Sequence, residues 1–230
     1  MELKKHYDRL YSESRKKLSS GKYEIDHLID SPEDNRFGIT LLLRPAGEVK
    51  KKISLFLQQM MKIDPDQYYY PESDMHVTVL PIISCFAGFT LDKIKIPDYI
   101  PLIRKAVSGK HRFTVHFSGI TASPAGVMIR GFPGDDTLNS LRDSLRSEFR
   151  ESPLYQSIDE RYRLETAHST VIRYRKKLGN TERYAEALDS YRDFDFGEFE
   201  VSVLEFVYND WYQKKDRTRV LAVFDLPRQR

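Results

Sequence analysis

Apolar and polar positions change period several times along the chain, and the changes mark out its elements. Leu3, Tyr7, Leu10, Tyr11 and Leu18 fall at helical spacing among lysines, arginines and serines, and Gly21 is placed to end that helix. An amphipathic helix of this kind is expected to pack on the domain surface. Turn chemistry at Ser31-Pro32-Glu33-Asp34-Asn35 precedes a buried strand from Phe37 to Leu43, which stops before Pro45. Val49, Ile53, Phe56, Leu57 and Met60 return to helical spacing. Tyr68-Tyr69-Tyr70 then leads into a short apolar run, Met75 to Leu80, beyond which Pro81 and the small residues after Cys85 are expected to loosen the chain.

The second half repeats the theme. Pro97-Asp98 starts a helix running through Ile100, Ile103 and Val107 to Gly109. Phe113 to Ser118 and Val127 to Arg130 read as strands, with Gly119, Gly126 and Gly131 as turns or bulges. Asp136 is placed to cap a helix whose face is Leu138, Leu141, Leu145 and Phe149. Past a loop around Pro153 comes another short apolar run, Ala167 to Ile172. Thr181 is placed to cap a helix carrying Tyr184, Leu188 and Tyr191, and the tail holds strands near Phe199–Tyr208 and Arg219–Phe224 joined by a polar hairpin turn, Gln213 to Thr218. Strands often neighbour one another in sequence, so the fold class is α+β with mainly antiparallel sheet. Each short apolar run follows a strand and a helix and precedes another helix, which predicts two similar lobes.

Composition narrows the picture. A chain of 230 residues with 14 Tyr and 13 Phe buries a substantial core throughout. A net charge of +3 suits an anionic ligand held at a local site better than the coating of nucleic acid. The single cysteine, Cys85, excludes an internal disulfide and a cysteine-based zinc pattern. The stretch Met1 to His6 has no apolar signal segment, and no apolar run approaches the roughly 18 residues of a membrane span. A soluble, cytoplasmic protein without membrane attachment is expected.

Candidate chemistry lies in the two apolar runs, which contain His76-Val77-Thr78 and His168-Ser169-Thr170. On a strand, residues i and i+2 share a face, so each His projects beside its Thr. Two such strands face to face bring two imidazoles and two hydroxyls together, a set suited to acid–base chemistry on a phosphate, since an imidazole holds either protonation state near neutral pH. The hydroxyls would hold non-bridging oxygens. Arg173, and Tyr174 by strict alternation, compete for the place nearest the second His, the guanidinium being the better anion ligand. Arg173, Arg175, Lys176 and Lys177 form a basic run that either steers an anion or is a solvated strand end. Tyr68 to Tyr70 and Trp211-Tyr212 are candidate stacking surfaces, with core packing as the ordinary alternative.

His116-Phe117-Ser118 fits a looser form of the motif but lacks the surrounding element order, and reads as a half-exposed residue opposite Phe113, Val115 and Phe117. His6, His27 and His111 are expected at the surface. Two converging imidazoles also admit a metal reading, but zinc needs a third protein ligand. Only Asp74 and Glu165 lie near enough in sequence, so no metal and no cofactor are expected.

The paired motifs His76-Val77-Thr78-Val79 and His168-Ser169-Thr170-Val171, with Arg173 five residues past the second His, resemble the 2H phosphoesterase superfamily, in particular its RNA 2′,3′-cyclic phosphodiesterase or 2′-5′ RNA ligase-like branch. The resemblance spans about Arg36 to Leu226. It implies two pseudo-twofold-related lobes around a central cleft, His76 and His168 as catalytic groups, and Thr78, Thr170 and Arg173 as substrate ligands. It also implies metal-independent hydrolysis of a cyclic phosphate on an RNA end or a small nucleotide. Residues 1–30 then form an N-terminal helical extension and 31–230 a single bilobal domain, acting as a monomer. The alternative is a binding module that holds such ends in the same cleft without turning them over.

Overall fold

The structure, a computed structural model, describes residues 3–229. The chain runs α1 (Leu3–Ser19), β1 (Arg36–Leu43), α2 (Glu48–Ile63), β2 (Tyr68–Tyr69), β3 (Val77–Ala87), α3 (Ile96–Val107), β4 (Phe113–Ser123), β5 (Gly126–Pro133), α4 (Thr137–Arg150), β6 (Ser169–Arg173), α5 (Thr181–Asp189), β7 (Asp195–Val201), β8 (Val203–Asp210) and β9 (Arg219–Asp225). The outermost residues of the expected 1–30 and 31–230 division, 1, 2 and 230, lie outside the described residues.

Two antiparallel sheets result, in the orders β3-β1-β8-β9 and β2-β6-β5-β4-β7. Read outward from the motif strands, β3-β1-β8-β9 is matched by β6-β5-β4-β7, with β2 added beyond β6. This is the α+β, two-lobed arrangement predicted, with β1-α2-β3-α3 answered by β5-α4-β6-α5. Helices α3 and α4 pack on each other, with α4 against β3 and α3 against β9; α2 lies on β7 and α5, and α1 on β4 and α5. Each helix buries the stripe its period defines, Leu138, Leu141, Leu145 and Phe149 on α4 being nearly inaccessible. Such side chains contribute about 1.5–3 kcal/mol each when fully buried.

Four local expectations are corrected. Pro81 does not loosen the first motif strand, which continues to Ala87; β3 is an edge strand, where proline is tolerated. Tyr68-Tyr69 does not run into β3 but pairs with β6, Tyr68 opposite Arg173. The first N–H group of α4 is served by Asp135, whose Oδ1 accepts from Thr137 N at 2.8 Å, while Asp136 makes no side-chain cap bond. Asn180, not Thr181, caps α5, accepting from Arg183 N at 2.9 Å, and Tyr191 lies beyond that helix.

Candidate active site

His76 and His168 each stand one residue before their strand, and the two strands are bulged at the same place. Leu41 and Leu42 of β1 pair with Leu80 and Thr78, so Val79 is the extra residue of β3. Val127 and Met128 of β5 pair with Ile172 and Thr170, so Val171 is the extra residue of β6. An extra residue re-phases the side chains beyond it. The fifth residue past each His, Pro81 and Arg173, is thereby turned to the cleft, whereas alternation would have offered the sixth. This decides between Arg173 and Tyr174: Arg173 lines the cleft, and Tyr174 is buried in the core.

The cleft between the sheets has a volume of about 300 Å³, and His76, Thr78, His168, Thr170 and Arg173 all line it. The structure therefore brings every residue singled out in the two motifs to one site. The rings are held alike: Nδ1 of His76 lies 2.7 Å from the carbonyl oxygen of Asp74, and Nδ1 of His168 lies 2.7 Å from Oγ1 of Thr166, in each case the residue two positions back. A carbonyl only accepts, so His76 carries its proton on Nδ1 and leaves Nε2 for the cleft. Burial pushes both imidazoles down, to about 4. Neighbouring charges add to it in both, Arg44 and Arg173 at His76 and the charges of His76, Arg142 and Arg173 at His168, while the bond to Asp74 works against it at His76 alone.

Arg173 is oriented from two sides. Its Nε donates to Tyr70 Oη at 3.1 Å, its Nη1 lies 3.7 Å from Asp26, and the guanidinium sits 5.4 Å over the Tyr212 ring. Two others of the basic run are paired elsewhere, Arg175 with Asp30 and Lys176 with Asp66. Among the candidate aromatics Trp211 lines the cleft, Tyr212 and Tyr70 are buried, and Tyr162, from the loop before the second motif, joins Trp211 in the lining. Arg36 and Arg161 lie 4.6 and 5.0 Å from the Trp211 ring centre. His116 sits on β4 with Nε2 2.8 Å from Asp195, among residues that do not line the cleft.

Sequence reasoning missed Arg142. It occupies the buried face of α4, one turn from Leu138, and reaches both motif strands: Nε donates to Val79 O at 2.8 Å, and Nη2 to Thr78 O at 3.0 Å and Thr166 O at 2.7 Å. Its other terminal nitrogen has no partner among the described residues. The guanidinium is thus solvated by carbonyl dipoles, and burial drags it down to about 10. The signal was available, a charged residue at a helical position where the period demands an apolar one. Asn209 and Gln213 were also passed over; both are buried, line the cleft and hold a side-chain oxygen without a partner among the described residues.

The carboxylates that a metal would have needed do not converge. Asp74 accepts from Ser73 Oγ at 2.6 Å and from Lys215 N at 3.2 Å, and Glu165 is exposed, 3.9 Å from Arg163. Among the described residues no three His, Cys, Asp or Glu side chains are grouped to hold an ion. No helix of the described residues is long and apolar enough to cross a membrane.

No family model and no curated protein matches the chain by sequence. Solved structures do match it. TT0787 of Thermus thermophilus superimposes with a TM-score of 0.60 at 16% identity, covering 84% of this chain and 100% of that one. Escherichia coli LigT complexed with 3′-AMP gives 0.56 at 14% identity, covering 84% and 99%. The protein ATU0111 of Agrobacterium tumefaciens gives 0.54 at 14% identity, covering 91% and 97%. The chain therefore has the fold of these structures, the fold that the resemblance of the paired motifs implied. LigT has also been solved with phosphate, ATP and NADP+.

Proposed function

We propose that the protein is a metal-independent phosphodiesterase that opens a 2′,3′-cyclic phosphate, or a related phosphodiester, on an RNA end or a small nucleotide. One observation carries this reading: two His-x-Thr motifs at equivalent positions of two sheets line a single cleft with Arg173, both Nδ1 atoms being engaged from behind. The nucleotide complexes of LigT support it by fold.

One neutral imidazole removes a proton from water, whose oxygen attacks phosphorus; the bond to one ribose oxygen breaks, and the other imidazole, protonated, gives that oxygen its proton. Thr78, Thr170 and Arg173 hold the non-bridging oxygens as charge builds. His76 is assigned as the acid. Cations oppose a charge on either ring, Arg44 and Arg173 at His76 and Arg142 and Arg173 at His168, but only His76 has a bond from Nδ1–H to a carbonyl that favours the charged ring. His168 is then the base. Ligation is the reverse of the same step, and water as solvent favours hydrolysis.

The test is turnover of a 2′,3′-cyclic mononucleotide and of a cyclic-ended oligonucleotide in the presence of chelator. We expect product from wild type, and a loss of about a hundredfold or more in His76→Ala and in His168→Ala. Wild-type activity in both variants sinks the mechanism. Retention of the oligonucleotide without product identifies a binding module instead.

A further inference from the structure

The segment before β1 meets both ends of the second motif strand. At the start of β6, Tyr7 of α1 is fully buried, and its hydroxyl accepts the N–H of Ala167 at 3.0 Å while donating to the carbonyl of Gly131 at 3.2 Å. The β5–β6 pairing ends at Ile129 opposite Ser169, and its next step would set Gly131 against Ala167. Tyr7 Oη is interposed there, between a donor and an acceptor that an unbroken ladder would join. Space is tight: a Cβ on Gly131 would fall 1.9 Å from the Ala167 carbonyl oxygen. The residue after Ala167 is His168. Tyr7 is itself fixed, by Thr121 Oγ1 donating to its carbonyl at 2.8 Å, by Ser14 Oγ donating to Ala122 O at 2.9 Å, and by an edge-on contact with Phe132 at 5.6 Å.

At the other end, Asp26 follows α1 in the crossing to β1. Its N–H donates to Tyr174 O at 2.7 Å, and its carboxylate accepts from Tyr212 Oη at 2.7 Å and lies 3.7 Å from Nη1 of Arg173. The guanidinium is therefore caught between Asp26 and the Tyr70 hydroxyl.

We propose that the N-terminal segment is a positioning element of the site: Tyr7 places His168 through Ala167, and Asp26 places Arg173. The proposal rests on the reading that these two residues act on a phosphate. It separates their effects. Without the Tyr7 hydroxyl, Ala167 closes onto Gly131 and draws His168 back from the cleft, which weakens proton transfer more than binding. Without the Asp26 charge, Arg173 loses its fixed direction, which weakens the hold on an anion more than the chemical step.

Tyr7→Phe and Asp26→Asn test this, beside Tyr11→Phe as control. Tyr11 lies one turn further along α1 and donates to Asp189 of α5 at 2.7 Å, away from the motif. For a 2′,3′-cyclic mononucleotide we expect Tyr7→Phe to lower kcat about tenfold with KM within about twofold. Asp26→Asn should raise KM about tenfold with kcat within about threefold, and Tyr11→Phe should leave both unchanged. Two further readouts need no turnover: imidazole resonances by NMR, in which Tyr7→Phe should move His168 and leave His76 in place, and binding of inorganic phosphate, which Asp26→Asn should weaken about tenfold. A wild type that makes no product overturns the phosphodiesterase reading, and these two measurements then decide the proposal alone. Tyr7→Phe that matches Tyr11→Phe in kcat and in both histidine signals overturns it, as does an equal shift of both histidines or unaltered phosphate binding in Asp26→Asn.

Discussion

The two motif strands, compared position by position, are alike where the backbone is concerned and different where charge is concerned. Each has its His one residue ahead of the strand, its Nδ1 held by the residue two back, and a bulge three residues on, at Val79 and Val171. They part at two places. The residue behind the imidazole is a carbonyl at His76 and a hydroxyl at His168, and the fifth residue past the His is Pro81 in one strand and Arg173 in the other. Sheet position explains the second difference: β3 lies at an edge and tolerates proline, whereas β6 runs between β2 and β5 and has ladder partners on both sides. A near-symmetric frame thus delivers two imidazoles to one cleft, and the departures from symmetry give the two rings different hydrogen-bond partners and one wall the cation.

The largest expected effect comes from removing either imidazole while keeping its shape. His76→Gln and His168→Gln should each lower kcat by about 10²–10⁴-fold, the usual weight of an acid or a base. The assignment is sharpened by the pH profile of kcat/KM, which reports the free enzyme. Both rings sit near 4 when the cleft is empty, so the singly protonated pair becomes scarcer as pH rises, and wild-type kcat/KM should increase from pH 8 toward pH 5. That dependence belongs to the acid. His76→Gln should flatten it and His168→Gln should keep it; the opposite pattern exchanges the two roles.

Arg142 joins the two halves of the comparison, since one guanidinium holds Thr78 and Val79 of the first strand and Thr166 before the second. Arg142→Met leaves three buried carbonyls without those donors, and at about 1 kcal/mol or more apiece should cost about 3 kcal/mol of stability, read as a lower denaturation midpoint. It also removes a positive charge near His168. The His168 titration, followed by NMR, should move upward in this variant while that of His76 follows less. A shift shared equally by both rings would make Arg142 a structural staple with no part in their asymmetry.

What the sequence carried and what it hid follows from the same residues. The helices and the motif strands were legible because their periods are, and the order of elements around His76 matches that around His168. The bulges were not legible, because an extra Val inside Val77-Thr78-Val79-Leu80 or Ser169-Thr170-Val171-Ile172 leaves an apolar run unchanged. Alternation alone therefore left Arg173 and Tyr174 undecided. Arg142 was concealed by the expectation that charge faces water, against the period that set it beside Leu138 and Leu145. Tyr7 read as one more apolar position; its hydroxyl finds partners 124 and 160 residues away, which only the assembled sheets bring near.

The fifth position offers a smaller, sharper test. Arg173→Lys keeps the charge and loses the planar fork that Tyr70 and Asp26 orient, and should reduce kcat/KM for the cyclic mononucleotide by about tenfold to a hundredfold. Pro81→Ala, on the matching position of the first strand, should change it by less than about threefold, because no cation is lost there. Equal sensitivity at the two positions would show that shape, not charge, is what the fifth residue supplies.

The smallest expected effect is on stability, and it treats the two strands as equals. Each imidazole ionises near 6.5 in the unfolded chain and near 4 in the folded one. Between those values the unfolded state binds more protons, so stability rises with pH across the window. The contribution is complete above about 6.5 and is lost as pH falls through about 4. Both rings keep some contact with solvent at the cleft wall, which screens the effect to roughly 1–2 kcal/mol apiece. Denaturation midpoints of wild type should therefore fall more steeply between pH 6.5 and 4 than those of the His76→Gln/His168→Gln double variant, in which the carboxylates titrate as before and only the imidazoles are gone. Each single variant should recover about half of the difference. A single variant that recovers all of it would mean that one ring alone is desolvated, and the likeness of the two strands would then stop at the backbone.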